Sequence, residues 1–139
     1  MPTVNEINSA VYSFLADDET LSGLCTIYKG SKRPSKMQIP SVTVDTRDLR
    51  PGEGEGIWMC DVVVAAYTDI LANRMPDHGK LEELSSAVSD ILTDAEIILN
   101  AAKALPLIKG GSTGPEWEKC HDNQMMQEMT FGLVFVKFD

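Results

Sequence analysis

Cys120-His121-Asp122 brings together the residue types of a thiol triad: a sulfur nucleophile, an imidazole base and a carboxylate to orient the base. Its spacing works against that chemistry, because consecutive residues of an extended chain point to opposite faces and cannot converge on one substrate atom. The other histidine, His78, falls in Asp77-His78-Gly79-Lys80 at the start of an expected helix. There the positive dipole end disfavours its protonation, and its neighbours resemble a cap. Cys25, Cys60 and Cys120 form an odd, scattered set without a CxxC pair, so neither a disulfide framework nor a zinc cage is expected, only reduced thiols. Gly52-Glu53-Gly54-Glu55-Gly56 has the glycine content of a phosphate loop. Its two glutamates would repel phosphate and no helix begins after Gly56, so it reads as a flexible turn. Trp58 and Trp117 lack the basic surroundings of a nucleic-acid groove and read as core or subunit contacts. No enzyme activity, metal or cofactor is expected.

The residues left to carry function are charged. The 139-residue chain has a formal net charge of −9, which disfavours tight binding to nucleic acid. Against that background, Lys29, Lys32, Arg33, Lys36, Arg47 and Arg50 cluster within one segment that holds only Asp45 and Asp48 as acids. Such a segment either faces water or meets the acidic body of a neighbouring copy, which favours head-to-tail association. The methionines, notably Met125, Met126 and Met129, suit adaptable packing in a core or an interface. The sequence contains no apolar run of eighteen residues and no basic-then-apolar leader, so a soluble protein made in the cytoplasm is expected, without membrane contact.

The elements that position these residues are organised around the run from Gly56 to Thr68, the longest β-favouring stretch. Trp58, Cys60, Val62, Val64 and Ala66 share one face; Ile57, Met59, Asp61, Val63, Ala65 and Tyr67 share the other. A strand apolar on both sides is usually covered twice, by helices of its own chain and on the far face by another chain.

Before it, Val4, Ile7, Val11, Phe14 and Leu15 predict a helix over Val4–Ala16, with Thr3 as N-cap and Glu6 completing a capping box. A short second turn, Glu19–Leu24, and a brief β-like run, Cys25–Tyr28, precede an exposed loop over Gly30–Lys36. Ser41–Arg47 alternates as a strand, followed by a flexible link over Arg50–Gly56, too long for a tight hairpin turn. After the central strand, Leu81, Leu84, Val88, Ile91 and Leu92 predict a helix over Asp77–Leu92.

Ala95–Leu105 reads as a helix on its alanine content, although Glu96–Leu99 suits a strand equally. Lys109–Pro115 reads as a loop, and Gln124–Phe138 as a long strand beside the central one, with Met129, Phe131, Leu133 and Phe135 on one face. The result is a single α+β domain over residues 1–139 with α-β-β-β-α-β-β order. It has a mostly antiparallel sheet and two main amphipathic helices packed on one face.

That order resembles the tail-terminator, or tail-completion, proteins of long-tailed phages and prophages. The resemblance rests on the amphipathic helix Val4–Ala16, the strand Ile39-Pro40-Ser41-Val42-Thr43-Val44, a glycine-rich loop and the long strand ending in Tyr67-Thr68. The helix Asp77–Leu92 and the close on Phe131-Gly132-Leu133-Val134-Phe135-Val136 complete it. It implies a non-enzymatic protein of the virion tail, assembled in the bacterial cytoplasm. Its copies would form a ring, usually of six, that caps the tail tube, ends its growth and provides the surface for the head. The implied partners are further copies of the chain, the tail-tube protein and head-connector proteins, with DNA only as passing cargo. On this reading Lys32, Arg33, Lys36, Arg50, Glu53 and Glu55 are the candidate contacts to a neighbouring subunit or the tube. The other readings are a head-closure or neck adaptor, a small enzyme built on Cys120 or His121, and a monomeric module binding a peptide strand.

Overall fold

The computed structural model describes residues 3–30, 38–69, 78–100, 102–117 and 124–137. Its elements, in chain order, are α1 (Val4–Ala16), α2 (Glu19–Leu24), β1 (Thr26–Lys29), β2 (Ser41–Pro51) and β3 (Ile57–Asp69), followed by α3 (His78–Leu92), β4 (Ala102–Ala104), β5 (Ile108–Trp117) and β6 (Gln124–Lys137). Thr3 caps α1 by accepting the Glu6 N–H at 3.1 Å. The reciprocal half of the capping box does not form: the Glu6 carboxylate accepts the backbone N–H of Asn100 at 3.0 Å. Asp18 caps α2 through the Leu21 N–H at 2.9 Å, so the acids after α1 start a second helix.

The sheet runs β1-β2-β3-β6-β4, with β5 also paired to β6. The β2–β3, β3–β6, β4–β6 and β5–β6 pairs are antiparallel, in keeping with the mostly antiparallel sheet expected, although β4 and β5 were not foreseen as strands; β1 lies parallel to β2. The long strand β6 lies beside the central β3 along thirteen residue pairs, from Ile57 and Val136 to Asp69 and Gln124.

Both main helices cover one face. Ile7, Val11 and Leu15 of α1 and Leu81, Leu84, Val88 and Leu92 of α3 recur at three- and four-residue intervals. They bury against Val42, Val44, Cys60, Val62, Val64, Phe131, Leu133 and Phe135. Sealing each such side chain from water is worth about 1.5–3 kcal/mol, so this layer holds the fold together. Val4 and Phe14, expected within the α1 stripe, lie towards its exposed edge.

Three predicted elements are corrected. Within Ala95–Leu105 the described residues are not helical: over 95–99 Ala95, Ile97 and Leu99 are buried while Glu96 and Ile98 face out, and after a turn at Asn100 an antiparallel bridge from Leu99 to Ala102 leads into β4. The cause is non-local. Ala95 O accepts the Leu107 N–H at 2.9 Å and Asp94, at φ 60, donates its N–H to Leu107 O at 3.0 Å, so these groups are taken before a helical turn can use them. Lys109–Pro115 is not a loop but part of β5, with register shifts between Lys109 and Ser112 and between Thr113 and Glu116. The link expected over Arg50–Gly56 is also shorter. β2 continues through Arg50, paired with Met59, and Pro51, paired with Trp58; the Gly52 N–H then donates to Ile57 O at 2.8 Å to close the turn.

Candidate functional site

Of the six predicted contact residues, Lys32, Arg33 and Lys36 lie outside the described residues. The other three are brought to one end of the β2–β3 hairpin, in different settings. Glu53 and Glu55 are exposed on the turn, which is shaped around Ile57: its side chain occupies the space where a Cβ on Gly52 or Gly54 would stand. Gly54 and Gly56 adopt φ values of 107° and 76°, the left-handed region that favours glycine. Arg50 is not on this turn but within β2. It donates to Asp48 O at 2.7 Å and approaches the Asp61 carboxylate at 3.8 Å, so this charge in the body of the central strand is paired within the chain.

The sheet face turned away from the helices is more polar than the central strand alone suggests. Thr43, Asp45 and Arg47 of β2 lie beside Ala65, Val63 and Asp61 of β3, and Glu128 and Thr130 of β6 flank the same residues. The Arg47 guanidinium sits 3.5 Å from both the Asp45 and Glu128 carboxylates, bridging β2 to β6 across β3. Val63 and Ala65 are buried beneath this charged layer. Each ion pair is solvent-exposed and worth about 0–1 kcal/mol, so its effect is to cover the face and fix its polarity. Sequence reading missed Arg47 and Glu128 as a pair. The available signal was that Glu128 and Thr130 share the parity of Val134 and Val136.

Cys60, buried in the core, has its thiol pushed up from 9.0 to about 11, chiefly by burial, then by the neighbouring Asp61 charge, with Arg50 opposing. Burial likewise raises Cys25 to about 11, opposed by Lys80. Thiols in this range stay protonated at neutral pH and are poor nucleophiles. Cys120 and His121 lie outside the described residues, and His78 is an exposed residue opening α3. Among the described residues no three of His, Cys, Asp and Glu come together as metal ligands. No helix among them is long and apolar enough to cross a membrane. Trp58 packs partly against the core, and Met125 and Met129 lie within it.

An open polar cleft of about 370 Å³ lies between α3 and the β5–β6 edge, lined among others by Glu82, Ser85, Asp90, Lys109 and Gln127. Ser85 donates its hydroxyl to Gln127 Oε1 at 3.0 Å. The cleft exists because α3 packs over β3 and β6, leaving the inner side of β5 beyond its reach, and among the described residues it is lined by neither histidine nor cysteine.

The arrangement defines an α+β protein with helices on one side of a mainly antiparallel sheet and a charged, strand-built surface on the other. No family model matches the sequence, and no curated protein matches it. Among solved structures, the fold is similar to that of a chain from "Virion of native gene transfer agent (GTA) particle". The TM-score is 0.77 at 19% identity, over 94% of this chain and 95% of that one. At this identity the likeness is one of fold.

Proposed function

We propose that this chain is a structural protein of a phage-like particle, and specifically a tail terminator. Its copies form a ring on the finished tail tube, stop further polymerisation and present the surface to which the head attaches. The observation that carries the reading is the near end-to-end likeness of fold to a gene-transfer-agent virion chain. The resemblance of the element order to tail terminators supports it as well, since α1, the β2–β3 hairpin, α3 and the closing β6 on which it rests are all present.

In this reading the basic segment of one copy, where Lys32, Arg33 and Lys36 lie in sequence, meets the acidic body of the next. This contact of opposite charges repeats around the ring. The net charge of −9 lets DNA pass as cargo without being retained, because like charge removes the attraction that would hold it.

Native mass spectrometry of the purified chain tests the ring, with six copies expected. Charge reversal of Lys32, Arg33 and Lys36 together is expected to lower that mass. Electron microscopy of particles assembled without the gene tests the role: overlong tails are expected, and tails of normal length without heads would instead favour a neck adaptor.

A further inference from the structure

The outer face of the sheet changes character along the strands. At one end Tyr28, Ile39, Ala65, Tyr67 and Met126 pack together. The middle is the charged layer around Arg47. At the hairpin end, cross-strand neighbours form a second apolar block: Ile57 beside Val136, and Met59 beside Val134. Leu105 donates its N–H to Val134 O at 2.9 Å, and Ile108 lies beside Gly132, which has no side chain to shield it. Ile108 is 64% exposed, Leu105 49% and Val136 40%. An apolar group contributed by three adjacent segments of sheet is larger than scattered surface hydrophobics require.

The rim of this block carries charges of both signs at opposite corners. Lys103 is paired with Val136 on the β4 side, and the Glu53–Glu55 turn adjoins Ile57 on the β2 side. The end row therefore reads acidic turn, Ile57, Val136, Lys103. A second copy turned by half a revolution about an axis along the strands sets its apolar block on the first. The same rotation brings each Lys103 over the other copy's Glu53 and Glu55, as a self-complementary two-fold contact requires.

The sheet edges favour this face over association by strand addition. β5 is interrupted twice in its register and β1 has only four residues, so neither edge suits continuation of the sheet into another copy.

We infer that the apolar hairpin end of the outer sheet face joins this chain to a second copy of itself, with Lys103 of each facing Glu53 and Glu55 of the other. The contact is separate from the ring proposed above and makes pairs whatever the number of copies in the larger assembly.

Sedimentation and native mass spectrometry of the full chain in low salt test it. Leu105→Glu and Ile108→Glu alter exposed side chains, so the far-ultraviolet circular dichroism and the melting temperature should be kept while the assembled mass halves. The pair dissociation constant should rise at least about 100-fold, because the contact would then bury an uncompensated charge. Lys103→Glu should weaken the pair about tenfold, and adding Glu53→Lys with Glu55→Lys in the same chain should restore it. An assembled mass unchanged by Ile108→Glu overturns the inference, as does a wild-type chain that stays single or a charge-swapped chain that does not recover. A copy number other than six or its double would count against the ring alone, whereas failure of the mass to halve would count against the pair alone.

Discussion

Thr46 donates its hydroxyl hydrogen to Asn8 Oδ1 at 2.6 Å, a buried bond between residues 38 positions apart that ties α1 to the sheet. Both side chains lie among apolar neighbours, where an unpaired polar group is costly. Asn8→Ala leaves the Thr46 hydroxyl without this partner and is expected to destabilise the chain by about 1–3 kcal/mol. Thr46→Val in the Asn8→Ala background should cost less than Thr46→Val alone. Urea unfolding of the four proteins in a double-mutant cycle measures the coupling, and additivity of the two changes would show that the bond contributes nothing.

The Glu6 carboxylate, freed from its expected capping role, holds the Asn100 N–H at 3.0 Å and so anchors the extended segment after α3 to the start of α1. Glu6→Ala should speed exchange of the Asn100 amide about fivefold, corresponding to about 1 kcal/mol for a charge-assisted bond near the surface. Amides in the β3–β6 ladder should not change. Hydrogen exchange followed by NMR separates local release from general loss of stability.

Gly110 and Gly111 sit together in β5 but differ in what a side chain would meet. A Cβ on Gly110 would stand 3.0 Å from the backbone oxygen of Thr130 in β6, whereas one on Gly111 would find open space. Gly110→Ala is therefore expected to push the strands apart and cost about 1–3 kcal/mol, and Gly111→Ala to stay within about 0.5 kcal/mol of wild type. Thermal melts of both variants decide it, and equal effects would contradict this packing.

The contrast between those glycines shows where the sequence was legible. Periods of three to four in α1 and α3 and of two in β2, β3 and β6 reflect burial against one layer, and burial is written into residue type. The segment from Ala95 to Trp117 follows neither rule, because its conformation is set by distant partners. Leu107 captures the backbone of Asp94 and Ala95, and β6 recruits a glycine-rich stretch that locally reads as a loop. At the candidate site, Glu53 and Glu55 were placed correctly on a turn. Arg50 was misplaced because a bulge, with Asp48 at φ 54, carries β2 beyond the point where its alternation stops. The charged layer over β3 was invisible in that strand alone, since Arg47 and Glu128 reach it from its two neighbours.

Cys60 yields a pH dependence whose sign follows from its position. In the unfolded chain its thiol loses a proton near its ordinary value of 9.0, whereas in the fold burial holds the proton until about 11. Between those values the native state binds more protons than the unfolded state, so stability falls as pH rises from about 9 to about 11 and shows no contribution from this group below that window. Cys25, raised to the same range, adds a slope of the same sign. Cys60→Ala removes one of the two contributions: its unfolding free energy in urea should decline less steeply than that of wild type from pH 9 to pH 11, whatever the offset caused by the lost sulfur. The comparison of slopes cancels other groups titrating in the same window, and parallel curves would mean that the Cys60 thiol is no harder to ionise in the fold than in the unfolded chain.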